Sequence, residues 1–259
     1  MENCKPIKTP LNTNEKLCLN DGGDKINEKY FRSIVGSLMY LTHTRPDIAF
    51  AVSLISRFMY KPSKFHLGTA KRILRYVQGT LNFGIRYSKG KSNKLVAFTD
   101  SDWASCTDDR KSTTGYMLSL GLGVISWSSK KQHSIALSST EAEYAAATTT
   151  ACQVVWLRRI LEDLKQEHGE ATVIFCDKKS TIALSKNPVH QRRTKHIETK
   201  HHFIRDLVSR GIVELQYINT EEQPTNIFTK ALSEAKFAKF RSIMRVEPFL
   251  ELRGGNVGN

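Results

Sequence analysis

Two short apolar runs, each ending on an aspartate, constrain this chain more than any other feature. Leu95, Val96, Ala97 and Phe98 form the first, which stops at Thr99, Asp100, Ser101 and Asp102. Thr172, Val173, Ile174, Phe175 and Cys176 form the second, which stops at Asp177. Unbroken apolar runs of this length read as strands buried on both faces of a sheet. A carboxylate at the end of a central strand stands where open α/β sheets bind their ligands. Acidic residues also end strands simply because turns follow them. Two such strands with a helical glutamate between them point instead to one shared acidic site.

The charge balance names a class of partner. Lys and Arg number 39 against 25 Asp and Glu, a formal charge of +14 over 259 residues. A surplus of this size suits a polyanion, most often nucleic acid. No apolar run is long enough to span a bilayer, and residues 1–10 lack the apolar core of a secretory signal. The five cysteines, at 4, 18, 106, 152 and 176, form no CxxC pair. These features predict an intracellular protein, cytoplasmic or nuclear, without a disulfide framework or a membrane partner.

Periodicity changes along the chain. Residues 1–27 show none. Residues 28–80 read as helices, with stripes at Tyr30, Ile34, Val35, Leu38 and Leu41, then Ile48, Val52, Ile55 and Met59, then Ala70, Ile73, Leu74 and Val77. Lys71, Arg72 and Arg75 interleave the third stripe and suit either a phosphate backbone or a solvated face. A strand over Phe83 to Tyr87 and a polar linker over 88–93 place a boundary near residue 90. Beyond it, three strands joined by short connections predict an antiparallel meander, with Gly121 to Gly123 as a hairpin turn. Ser138 and Glu141 stand at capping-box spacing before a helix reaching about Leu164. There follow the strand ending at Asp177, a helix over Ser180 to Lys186, a basic run from Gln191 to His196, a helix over Thr199 to Ser209, a strand over Val213 to Ile218, and a last helix opened by Pro224. The end from Glu247 reads as frayed.

This element order is that of a ribonuclease H-like α/β fold, a mixed five-stranded sheet flanked by helices. Six motifs carry a specific resemblance: FTDSDW at 98–103, DRKSTTG at 109–115, ISWSSKK at 125–131, ALSSTEAEY at 136–144, RTKHIE at 193–198 and IFTKAL at 227–232. On these residues 94–246 resemble the ribonuclease H domain of a Copia-type retrotransposon Pol polyprotein. YLTHTRPD at 40–47 and AKRILRY at 70–76 make residues 1–90 similar to the helical C-terminal end of the reverse transcriptase that precedes it. Residues 247–259 remain as a tail. The resemblance implies hydrolysis of the RNA strand of RNA–DNA hybrids by two Mg²⁺ ions, with Mn²⁺ as an alternative, held by clustered carboxylates. Carried over residue by residue, the site is Asp100, Glu143 and Asp177, with Asn226 at the fourth position. Asp102 rivals Asp100, and Glu141 rivals Glu143, but Glu141 has a capping role. The chain lacks the Tyr-x-Asp-Asp polymerase turn of the family, so no polymerase activity is expected. The rest of a Pol polyprotein is an expected partner.

Three positions depart from the family pattern. Asn226 stands where the family has a carboxylate, so the site loses one negative charge and should hold a second metal less tightly. Lys178 and Lys179 follow Asp177 where Asn-Gln is usual, and would repel Mg²⁺ unless they face substrate phosphates. No histidine occupies 219–223. Lys71, Arg72, Arg75, Lys178, Lys179, Arg192, Arg193, Lys195 and His196 are the candidate nucleic-acid contacts. The alternative reading is a catalytically impaired nucleic-acid-binding module, or an inert truncated product of the element.

Overall fold

The computed structural model describes residues 4–13, 15–88, 94–166, 169–186 and 203–249. The predicted helical N-terminal part forms α1 (Glu28–Leu41), a 3-10 turn (Pro46–Ile48), α2 (Ala49–Ser56) and α3 (Lys64–Gln78). Asn27 caps α1 by accepting from the Tyr30 amide at 3.0 Å. A capping box starts α3, where Ser63 accepts from the His66 amide while the Ser63 amide donates to His66 Nδ1 at 3.0 Å. Strand β1 (Phe83–Ile85) follows.

The sheet then builds in the expected order. It comprises β2 (Leu95–Asp102), β3 (Thr113–Leu120), β4 (Gly123–Lys131), β5 (Thr172–Cys176) and β6 (Val213–Tyr217), in spatial order β4-β3-β2-β5-β6. β2, β3 and β4 pair antiparallel, whereas β5 and β6 run parallel to β2. The helices are α4 (Ser139–Asp163), α5 (Lys179–Lys186), α6 (203–209) and α7 (Glu234–Ile243). This mixed five-stranded sheet with flanking helices is the ribonuclease H-like α/β arrangement that the sequence predicts.

Side-chain alternation along β2 divides the core. Leu95 and Ala97 face α4 and pack with Tyr144, Ala147, Ala151 and Val154. Ala142, Ala146 and Ala147 are fully buried, and their small side chains let the helix approach the sheet. Phe98 and Met117 face the other way, into a core built from α1, α2, α3 and α7. Phe31, Val35, Ile55 and Ile73 of the N-terminal helices share that core with Phe228, Phe237, Phe240 and Val246. Trp127 of β4 fastens the two parts by donating its indole N–H to the Thr42 carbonyl at 3.0 Å.

Several expectations need correction. β2 does not end at Asp100 but continues through Asp102, which pairs with Thr113. Pro224 opens a 3-10 turn (Pro224–Phe228) and not the last helix, which starts at Glu234. Glu247 and Pro248, expected to fray, belong to β7 (Val246–Pro248), which pairs antiparallel with β1. Residues 250–259 lie outside the described set.

Candidate active site

Four elements deliver the predicted acidic group. Asp100 sits within β2, Glu143 in the first turns of α4, Asp177 directly after β5, and Asn226 in the 3-10 turn before α7. Ser138 holds the start of α4 by accepting from the Glu141 amide at 3.2 Å. Glu141 reaches back to the Leu137 amide at 2.8 Å, one residue before the expected box partner. That leaves Glu143 to turn inward, where its Oε1 accepts from the Ser101 amide of β2 at 3.0 Å.

The ligating atoms of Glu143, Cys176 and Asp177 all lie within 4.8 Å of one another. Asp100 stands outside that tight group but interacts electrostatically with both other carboxylates. Its side chain is buried, accepting from the Thr229 hydroxyl and lying 3.6 Å from Lys230 Nζ. Asp177 accepts from the Thr220 hydroxyl at 2.8 Å, and the Thr220 carbonyl accepts from Asn226 Nδ2 at 2.8 Å. Thr220 thus bridges the third and fourth predicted positions. Asp102 points into a separate cavity of about 400 Å³, with Lys16, Arg57, Arg110 and Lys230 in its wall.

Crowding shows in the titration of these groups. Burial, with Asp100 and Asp177 nearby, holds the Glu143 carboxyl well above its ordinary range. Burial also raises Asp100, against the opposing pull of Lys230 and Thr229. Burial and then Glu143 push the Cys176 thiol up, so it stays protonated at neutral pH.

The donor set suits a hard divalent cation. Glu143 Oε2 and Asn226 Oδ1 are buried and, among the described residues, have no hydrogen-bond partner. Buried oxygens of this kind carry a desolvation cost that a bound ion relieves. Carboxylate and amide oxygens are ligands that Mg²⁺ and Mn²⁺ accept, whereas a protonated thiol is not.

A glycine makes the arrangement possible. A Cβ on Gly115 would lie 2.8 Å from Phe228 Cβ and 3.2 Å from the Thr225 carbonyl. Its absence lets the 225–229 turn rest on β3 directly beside Asp100.

The basic candidates fare differently. Arg72 donates to Thr9 Oγ1 at 3.0 Å and Arg75 to the Lys5 carbonyl at 2.8 Å. Both bind the N-terminal strap to α3, and Lys71 is exposed. Lys178 turns to Ser139 Oγ at 3.0 Å, and Lys179 lies over the Tyr217 ring at 4.9 Å. Arg192, Arg193, Lys195 and His196 lie outside the described residues. The site also holds Thr220, Thr229, Lys230 and Cys176, to which no role was assigned from sequence. Lys230 follows Asn226 by one helical turn inside the IFTKAL motif, which was the available signal.

No protein-family model matches the chain. Individual proteins do. The retrovirus-related Pol polyprotein from transposon RE1 of Arabidopsis thaliana is 42% identical over 251 residues, covering 96% of this chain and 17% of that protein. Its counterpart from transposon TNT 1-94 of Nicotiana tabacum is 42% identical over 244 residues, covering 92% and 18%. The chain belongs to the Copia-type retrovirus-related Pol polyproteins. It spans less than a fifth of the length of either of these Pol relatives. Among solved structures, LC11-RNase H1, isolated from compost, is 15% identical with a TM-score of 0.40, covering 53% of this chain and 93% of that one. Within this Pol family, the chain carries a ribonuclease H-like domain joined to a helical part that precedes it. No helix among the described residues is long and apolar enough to cross a membrane.

Proposed function

We propose that this chain hydrolyses the RNA strand of RNA–DNA hybrids with divalent metal ions held at Asp100, Glu143 and Asp177. The observation that carries the reading is the convergence of these three carboxylates from β2, α4 and the end of β5. Burying like charges together is unfavourable unless a cation joins them. Asp177 and Glu143 supply oxygens within 4.8 Å of each other, with the Asn226 amide oxygen as a neutral donor. A bound divalent ion would lower the pKa of water for attack on the phosphodiester and offset charge on the leaving oxygen. The chain's own groups do the positioning. The Ser101 amide orients Glu143, Thr220 orients Asp177, and Thr229 orients Asp100. The surplus of basic residues supports a polyanionic substrate.

The test is cleavage of a labelled RNA–DNA hybrid by the purified chain with Mg²⁺, with Mn²⁺ and with chelator. The expected result is metal-dependent cutting of the RNA strand, lost in Asp100→Asn with the fold retained. Undiminished cutting by pure Asp100→Asn protein would overturn the assignment. A hybrid that binds with a steep salt dependence but is never cut would make the chain a binding module instead.

A further inference from the structure

The cavity beside Asp102 holds more positive charge than its surroundings neutralise. Its wall takes Lys16 from the N-terminal strap, Arg57 from the end of α2 and Arg110 from the β2–β3 hairpin. The nearby carboxylates are mostly engaged elsewhere. Glu15 accepts from the Thr69 hydroxyl at 2.6 Å and from the Asn12 amide at 3.1 Å. Asp108 accepts from the Leu19 amide at 3.0 Å, and Asp109 accepts from Lys131 Nζ at 2.9 Å. Among the described residues, Lys16, Arg57 and Arg110 make no ion pair. Lys230 also lines the wall but already lies 3.6 Å from Asp100. With Lys230 set aside, three cations face Glu15 and Asp102, so positive charge is in surplus even when both carboxylates are ionised. The cations are held in place. Arg57 Nη2 donates to Thr113 Oγ1 at 3.1 Å, while its Nε is buried without a hydrogen-bond partner among the described residues. The Arg110 amide donates to the Cys106 carbonyl at 2.9 Å, and Thr107 Oγ1 ties the strap beside Lys16 by donating to the Leu17 carbonyl at 3.1 Å.

We propose that this cavity binds a backbone phosphate of the bound nucleic acid, gripped by Arg57 and Arg110 with Lys16 in support. The inference rests on the nuclease reading above and gives the helical part a task in it. Position supports it. Asp102 lies two residues along β2 from Asp100, about 7 Å, so the cavity opens beside the acidic group. Chemistry supports it too. A guanidinium presents planar N–H donors that match phosphate oxygens, and a hydrogen bond between ions is stronger than a neutral one. Arg57 is the fixed member, because Thr113 and the end of α2 hold its side chain. A volume of about 400 Å³ leaves room for a phosphate with its flanking sugars. Lys16 and Arg57 belong to the helical part, whereas Arg110 belongs to the ribonuclease H-like part. The grip is therefore complete only when the two parts are docked.

Fluorescence anisotropy of a labelled RNA–DNA hybrid, measured in chelator over a range of KCl concentrations, reads the contact without turnover. Arg57→Gln and Arg110→Gln are each expected to weaken binding at least about fivefold and to lower the slope of log affinity against log salt by about 0.7–0.9. Arg57→Lys keeps the charge and should keep the slope. Lys29→Gln removes the same charge from an exposed position on α1 outside the cavity, and sets the background effect. Circular dichroism shows whether each variant is folded, and exposed Arg110 keeps the test open if Arg57→Gln is not. Slopes and affinities of both arginine variants equal to those of Lys29→Gln would overturn the proposal. Inorganic phosphate separates a backbone phosphate from a free anion. At matched ionic strength it should displace the hybrid from the wild-type chain more than from Arg57→Gln. Phosphate that binds through Arg57 without displacing the hybrid would make the cavity a free-anion site and overturn the proposal. The nuclease reading fails separately. A hybrid held with the expected slopes but never cut with Mg²⁺ or Mn²⁺ would leave the grip and remove the nuclease, whereas cutting with unchanged slopes would do the reverse. No hybrid binding by the wild-type chain would overturn both.

Discussion

At the scale of single residues, the site is a balance between burial and charge. The Glu143 carboxyl titrates near 4.5 in the unfolded chain and well above that when folded, raised first by burial. The folded state therefore keeps a proton that the unfolded state has already lost. The stability this contributes is fully present below about pH 4.5 and is lost as pH rises through the folded value. In chelator, the urea midpoint of the wild-type chain should fall as pH rises above about 4.5, and Glu143→Gln should flatten that fall. Parallel profiles for the two proteins would show that Glu143 does not carry the crowding. Gly115 is a steric counterpart. Gly115→Ala sets a methyl against Phe228 and the Thr225 carbonyl and should cost about 1–3 kcal/mol. Because the turn that shifts carries Asn226, Thr229 and Lys230, hybrid cleavage should fall further than stability does. Denaturant unfolding and cleavage rates on one preparation separate the two effects.

At the scale of elements, a buried ionic network joins the N-terminal helices to the end of the chain. Arg45 grips Asp47 with two hydrogen bonds, at 2.9 and 2.8 Å, and donates to the Thr80 carbonyl at 2.9 Å. Tyr76 of α3 donates to the same Asp47 carboxylate at 2.5 Å, and Arg241 of α7 donates to the Tyr76 hydroxyl at 3.1 Å. Asp47 is 1% exposed, so its partners have no water to fall back on. Asp47→Ala should cost about 3–5 kcal/mol, because the Arg45 guanidinium is left buried and unpaired. A loss below about 1 kcal/mol in denaturant unfolding would mean that water or relaxation satisfies Arg45. In the sequence these residues were legible as motifs, Arg45-Pro46-Asp47 and the 70–76 run, but their meeting was not. Nothing in local spacing pairs residue 47 with residue 241.

At the scale of the whole molecule, the helical part and the ribonuclease H-like part share one core across β3, β4 and α7. Phe98, Met117 and Trp127 lose their cover if residues 1–88 are removed. The isolated segment 94–249 should therefore expose a large apolar face and aggregate, while the full chain unfolds in one cooperative transition. Size-exclusion chromatography and calorimetry check both outcomes, and a monomeric, fully stable 94–249 segment would refute the shared core. The sequence by itself determined the strands, because Leu95 to Phe98 and Thr172 to Cys176 can be covered only by burial on both faces. Through the family resemblance it also named Asp100, Glu143, Asp177 and Asn226 as candidates for one site. Only the tertiary structure decided what surrounds them. That β2 runs on to Asp102, that Pro224 starts a tight turn and that Glu247 joins a strand all follow from hydrogen bonds to distant segments. Arg72 and Arg75 bind the N-terminal strap, and Lys230 enters the acidic group, for the same reason. A side chain's partner is set by whichever segment folds against it, and local pattern carries no record of that choice.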